Sequence, residues 1–355
     1  MIPAFILPML SLLVLPAACA PVPRADSPNE TDHTEIPADP GDTALTRYEF
    51  RRVIMGVGSR IVLYARDEPA AREAARAAQR EMIALDQALS DYIVDSEVSR
   101  LPARLSESPR AAISDELALA ARLASTIRCA TSGAFDERMG ELTRLWRSAR
   151  GRKTMPDPQA ARRAWLRSRI RYSITRVEGE PPEIIADGPV SFDFGGIAKG
   201  LACDNAASAL RTHGIDRFLV DMGGDLLAGN PPPGRNAWQI TIESLDESTR
   251  VVQIANTAIA TSGPTYQSLR VGSVQYSHII DPRTGFPVQI PRTVTVLASR
   301  GAVADALASA ISVLGPADAG SVCARFPDVQ WQITQPDPTG SLTTTTSSGF
   351  SDLSR

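Results

Sequence analysis

The chain has 355 residues, 43% of them hydrophobic, enough to bury a sizeable core in one large or two smaller domains. Its net charge is −3 with no uninterrupted block of like charge, which argues against a nucleic acid as partner.

Ile2 to Ala18 is apolar and uncharged but broken by Pro3, Pro8 and Pro16. It is too short for a comfortable transmembrane helix, and residues 1–18 fit an export signal. Two cleavage readings compete. Ala18-x-Ala20 resembles an ordinary signal-peptidase site, with Pro21 awkwardly placed after the cut. Ala17-Ala18-Cys19 resembles a bacterial lipobox, although Pro16 stands where leucine is usual and there is no basic leader. The expectation is a lipid-anchored protein on the periplasmic side of the membrane, with Cys19 as mature N-terminus; a cleaved, soluble periplasmic form is the alternative. Residues 19–46, rich in Pro, Asp, Thr and Glu, read as a disordered tether, and 47–350 as the folded domain. Cys129, Cys203 and Cys323 lack a C-x-x-C pattern and allow either one disulfide plus a free thiol or three buried thiols.

Along the domain, strands are predicted over Tyr48–Ile54 and Arg60–Tyr64, broken at Met55-Gly56. Glu68 to Leu89 has apolar residues at helical spacing and predicts a long surface helix. Ser90-Asp91-Tyr92 and Asp95-Ser96-Glu97 read as a polar loop or cap. Ser114 is the expected N-cap of a helix reaching Cys129, which Thr131-Ser132-Gly133 ends before Ala134-Phe135-Asp136. Ala149 to Arg171 is very basic and reads as a surface insertion before a short helix, with no evident chemistry.

Val190 to Gly229 is the most informative stretch. A β-like run, Val190 to Phe194, meets Gly195-Gly196. An alanine-rich helix then runs from near Ile197 to His213-Gly214, and a strand, Phe218 to Met222, breaks at Gly223-Gly224 before Asp225. Strand, glycine turn and helix bring backbone N–H groups close to a phosphate, although neither nucleotide-binding glycine fingerprint is present. Lys199 is one of only two lysines among 37 basic residues, so it is not a default surface cation. Trp238–Glu243, Arg250–Ile254 and Val294–Ala298 follow as strands, with a helix from Ala302 to Leu314 capped by Gly315. The threonine-rich run Thr343 to Ser348 reads as a low-complexity tail or a last exposed strand, and β-branched threonine favours the strand.

Of three histidines, only His278 sits among convergent polar groups. The Asp281-Pro282 and Thr284-Gly285 turn would hold Asp281 and Thr284 near it, unless both merely stabilise that turn. Asp305 and Ser309, four apart on a predicted helix, share a face. Together they offer hard oxygen ligands suited to Mg²⁺, although such a pair alone is more often an accident of the helix face.

Seven segments in order, S-D-Y-I-V-D-S-E-V-S-R-L, T-S-G-A-F-D, D-F-G-G-I-A-K-G, V-D-M-G-G-D, A-I-A-T-S-G, H-I-I-D-P-R-T-G-F-P-V and A-D-A-L-A-S-A, resemble the ApbE family of FAD:protein FMN transferases. The resemblance spans about Met55 to Gly315. It implies an α+β fold of two lobes, with an FAD and Mg²⁺ site in the cleft between them. The implied reaction passes FMN from FAD to a Thr or Ser hydroxyl of a protein subunit in a membrane redox complex, releasing AMP. Met55, Tyr92, Ala134, Phe135, Asp136, Gly195, Leu201 and Ile280 would line the FAD site, with Lys199 assisting or else paired with an acid such as Asp193. The Ala198 carbonyl, Asp305 and Ser309 would hold Mg²⁺, and His278 or Asp281 would orient or deprotonate the acceptor. Three positions depart from the family pattern: Ser309 for threonine, Leu201 for an aromatic, and Gly263-Pro264-Thr265-Tyr266 for S-G-D-Y. An FAD pyrophosphatase, or a non-catalytic FAD-binding lipoprotein, are the alternatives.

Overall fold

The computed structural model describes residues 45–350 apart from 246–248, 264–268, 272, 273 and 327. The predicted signal, Cys19, nearly all of the tether and most of the Gly263–Tyr266 departure lie outside the described residues. The tether was expected to run to Thr46, but that residue already begins the first strand.

Thr46–Ile54 pairs antiparallel with Val57–Ala65 across the two-residue turn Met55-Gly56. A tight hairpin of this twist needs positive φ at both turn positions, and Met55 adopts 54° and Gly56 71°. Asp86 Oδ2 accepts the Met55 N–H at 3.1 Å and steadies this unusual methionine. From the hairpin an eight-stranded sheet extends through Phe218–Met222, Asp225–Ala228, Ala258–Ser262, Thr293–Ala298, Gln330–Pro336 and Leu342–Thr346. Every neighbouring pair in it is antiparallel. The threonine-rich run is its outer edge, as β-branched residues favour.

The helices are α1 (Glu68–Leu89), α2 (Glu97–Glu107), α3 (Asp115–Ala130), α4 (Gly140–Arg152), α5 (Pro158–Arg167), α6 (Ala198–Thr212), α7 (Gly301–Leu314) and α8 (Pro316–Cys323). α1 has the bounds its periodicity predicts, and Ser114 caps α3 by accepting the Leu117 N–H. Ser96, read only as loop or cap, opens α2 by accepting the Ser99 N–H. Val190 to Phe194 joins no ladder of the sheets. It is tied instead to the segment after Phe135, with Asp193 N–H donating to the Glu137 carbonyl at 2.7 Å and Gly140 N–H to the Ser191 carbonyl at 3.0 Å.

One sheet face is buried under α1, α3, α6 and α7. The other is covered by the hairpin Trp238–Glu243 and Thr249–Ile254, whose alternate residues Trp238, Ile240 and Ile242 point inward beside Phe350. A third, smaller core joins Leu142, Trp146 and Ala149 of α4 to Ala164 of α5, Leu269 and half-buried Ile280. It forms the smaller of two lobes. The architecture is α+β.

α6 and α7 meet at a glycine pair. A Cβ on Gly200 would lie 2.1 Å from the Gly301 carbonyl oxygen, and one on Gly301 2.4 Å from that of Gly200. Asp204 of α6 supplies the cap that α7 lacks, accepting Gly301 N–H at 2.6 Å and Ala302 N–H at 3.1 Å. Backbone cannot yield as a flexible side chain can. Gly200→Ala is therefore expected to lose about 2–3 kcal/mol by overpacking, read as a lower urea midpoint at unchanged m-value.

Candidate functional site

The glycine crossing sets a charged cluster at the start of α6. Lys199 is ion-paired with Asp225, which is 3% exposed, and not with Asp193. Asp193 instead accepts the Gly195 N–H at 2.8 Å. Asp305 is also buried, and its Oδ2 accepts the Gly200 N–H at 3.1 Å. Burial and then the Asp225 charge push its carboxyl up to about 7, against the pull of Lys199 and of backbone N–H groups. Burial works against the Lys199 ammonium, but the Asp305 and Asp225 charges outweigh it and hold its pKa above the usual value. One ammonium between two buried carboxylates can balance only one of them, so the other is costly to ionise unless a cation joins it.

Ser309 stands one turn beyond Asp305 on α7 and closes on the Gly195-Gly196 turn. A Cβ on Gly196 would lie 2.9 Å from Ser309 Oγ and 3.4 Å from the Phe135 ring. The Asp305 carboxylate, Ser309 hydroxyl and half-buried Ala198 offer hard oxygens, and the charge deficit beside them fits a divalent cation such as Mg²⁺. Among the described residues no three His, Cys, Asp or Glu gather as a metal site, so such an ion would rely on hydroxyl and backbone oxygens as well.

The loop carrying His278 is fastened to the smaller lobe. Trp146 Nε1 donates to the Gly285 carbonyl at 3.2 Å, and Trp165 Nε1 and Arg169 Nη2 both donate to the Pro282 carbonyl at 2.8 Å. Gly285, at φ 79°, lies flat against Trp165, where a Cβ would come within 2.8 Å of the ring. Asp281 does turn duty. Its carboxylate takes Arg283 Nε, Nη2 and backbone N–H, each at 2.9 Å, and its carbonyl accepts Gly285 N–H at 2.8 Å. His278 Nδ1 is buried without a hydrogen-bond partner among the described residues. Burial, followed by the charges of Arg150 and Lys199, pushes its pKa down to about 4, so the ring is neutral at pH 7.

A third edge is the loop after α1. Tyr92, 71% exposed, lies under the Arg147 guanidinium, 3.9 Å from its ring centroid. Arg147 also binds Asp91 at 3.0 Å, and Asp91 titrates above the usual carboxylate range through burial and the nearby Asp193 charge. The three edges feel one another's charge: Asp193 acts on Asp91, and Arg150 and Lys199 act on His278.

The sequence profile of the ApbE family matches residues 55–332. The chain belongs to the ApbE family. It is 30% identical over 318 residues to the FAD:protein FMN transferase of Treponema pallidum, covering 84% of this chain and 87% of that protein. The protein of that name from Vibrio cholerae is 32% identical over 233 residues, covering 64% and 69%. The fold matches the apo Pseudomonas stutzeri flavinyl transferase ApbE with TM-score 0.75 at 25% identity, over 87% of this chain and 97% of that one.

The positions that the ApbE resemblance marks divide in two. Met55, Tyr92, Gly195, Lys199 and His278 lie on exposed or partly open turns and termini. Ala134, Phe135, Asp136 and Leu201 are buried. The Asp136 carboxylate is clamped by Arg138 Nε at 2.9 Å and Nη2 at 2.7 Å, so it shapes the A-F-D turn and offers no free charge. The Leu201 side chain, 1% exposed, belongs to the main core, so this departure from an aromatic trims no open surface. Arg147, Arg150 and Trp165 lie in or beside the basic segment without evident chemistry, and only the fold shows Arg147 on Tyr92, the Arg150 charge acting on His278 and Trp165 on the Pro282 carbonyl.

The His278 shift has a stability consequence. The unfolded ring titrates near its ordinary value and binds a proton that the folded ring refuses as pH falls from about 6.5 to about 4. Stability from this group is full above that window and declines through it, by up to about 3 kcal/mol. His278→Gln should flatten that part of the stability–pH curve, measured by urea unfolding at pH 7 and pH 4.5.

Proposed function

We propose that this chain transfers FMN from FAD to a Thr or Ser hydroxyl of a target protein, forming a phosphoester and releasing AMP. The observation that carries the reading is the buried Asp305 carboxylate set beside Ser309 and the glycine turn, with Lys199 acting on both it and the neutral His278. Asp305, Ser309 and the Ala198 carbonyl are the residues that would hold Mg²⁺. When bound, the ion neutralises charge on the pyrophosphate and on departing AMP. The protein's own work is positioning and electrostatics. Lys199, Arg147 and Arg150 supply positive charge, and turn N–H groups near Gly195-Gly196 suit phosphate oxygens.

His278 is the proposed base. Its neutral ring takes the proton of the acceptor hydroxyl as the oxygen bonds to the FMN phosphorus. The bond from that phosphorus to the bridging oxygen breaks, and AMP carries that oxygen away. Anionic FAD offsets the Arg150 and Lys199 fields that depress His278, so the ring accepts a proton more readily with substrate bound. The acid limb of kcat should consequently lie at higher pH than that of kcat/KM. We place the enzyme on the periplasmic side of a bacterial membrane, anchored through Cys19, acting on a subunit of a membrane redox complex. Among the described residues no helix is long and apolar enough to cross a membrane, so this anchoring rests on the N-terminal sequence.

The test incubates the protein with FAD, Mg²⁺ and an acceptor bearing an exposed threonine, reading intact mass on the acceptor and AMP in solution. An FMN-sized gain, abolished by EDTA and by Asp305→Ala, is expected. His278→Gln should slow transfer by about 10²–10⁴-fold while FAD still binds. AMP and free FMN without adduct would instead mark a pyrophosphatase, and uncleaved FAD a binding protein.

A further inference from the structure

Arg144 to Arg171 carries ten basic residues and one acidic residue, Asp157, in a chain whose net charge is −3. Such an excess repels itself and is not needed to fold two short helices, whose apolar residues Trp146, Ala149 and Ala164 supply the packing. Some of these cations are spent within the fold: Arg167 pairs with Glu141 at 3.0 Å and Arg171 with Asp187 at 2.9 Å. Arg152, Lys153, Arg162 and Arg163 are exposed and have no acidic partner among the described residues.

The geometry of the face is concave. Glu141, Arg144 and Leu145 of α4 face Ala160 and Arg163 of α5 across a groove of about 280 Å³. The groove is tied to the site through its own residues. Arg144 Nη2 donates to Ser191 Oγ at 2.7 Å, at the root of the strand-like segment that carries Asp193 and Gly195, and Arg147 one turn on covers Tyr92. On the other side, Trp165 of α5 holds the His278 loop. A chain lying in the groove therefore lies beside the two helices that hold both of these segments.

We propose that the α4–α5 groove is the docking site of the acceptor protein, which it engages through an acidic segment of chain close to the receiving hydroxyl. This rests on the transferase reading above. A groove that accepts side chains suits an extended peptide better than a flat lipid surface, and Arg163 in its wall with exposed Arg162 beside it gives charge complementarity to carboxylates.

The experiment uses two synthetic peptides of equal length, each with a single threonine, one flanked by Asp and Glu and the other by Lys. Binding is followed by fluorescence anisotropy and flavinylation by mass, at low and high salt, with the wild-type protein and the double variant Arg162→Glu, Arg163→Glu. Neither position touches the cleft residues, so FAD affinity should be unchanged and reports on folding. The wild type should prefer the acidic peptide, and the double variant should weaken that binding about tenfold or more and lose its salt dependence. Equal use of both peptides by the wild type would overturn the proposal. So would a double variant that keeps the acidic preference but no longer sediments with anionic phospholipid vesicles, which would make the face a membrane contact. Acidic-peptide binding that depends on Arg162 and Arg163, without adduct on any threonine, would support the groove and count against FMN transfer.

Discussion

The close backbone contact of α6 with α7 is the constraint on which the site depends. Two glycines let the helices touch main chain to main chain, and no side chain stands between them. That closeness gives Asp305 the Gly200 N–H and brings Ser309 against the turn at Gly196. It also lets Asp204 of one helix terminate the other. Helix geometry fixes which residues face the cleft, but only the glycine contact fixes how near they come. Asp305, Ser309, the glycine turn and the main core therefore share one joint.

The electrostatics follow a division of labour between the lobes. The larger lobe contributes two buried carboxylates and a lysine, a cluster with too little positive charge. The smaller lobe contributes arginines and a histidine held neutral, a face with too little negative charge. Neither half is balanced by itself. A ligand that is anionic and brings a divalent cation completes both at once, which is what a metal-chelated pyrophosphate does.

Much of this was legible in the sequence because the informative residues are local. Asp305 and Ser309 share a helix, Ser114 caps its own helix, and glycine pairs announce turns whatever surrounds them. The α+β fold and the family came from ordered short motifs. What was not legible depends on contacts between distant segments. Lys199 pairs with Asp225 rather than the nearer-in-sequence Asp193, because the strand after Gly224 turns back under α6. Val190 to Phe194 has strand composition but finds its partners in an irregular segment at Glu137 and Gly140. The tryptophans of α4 and α5 carry no signal of their own in the sequence. Their indole N–H groups hold carbonyls more than a hundred residues away, and no local pattern records that.

The strand order carries a further meaning for how the chain reaches this state. The first hairpin, complete by Ala65, has its next sheet neighbour in Phe218–Met222, so some 150 residues separate the two sides of one ladder. Phe350, near the end of the described chain, is fully buried in the core beneath the covering hairpin. Pairings of such long sequence separation form slowly, because loop closure is unfavourable until both partners exist. A growing chain of this topology spends most of its synthesis without a completed sheet. Its long ladders close only once the last strands have emerged, so the sheet is the late event of folding.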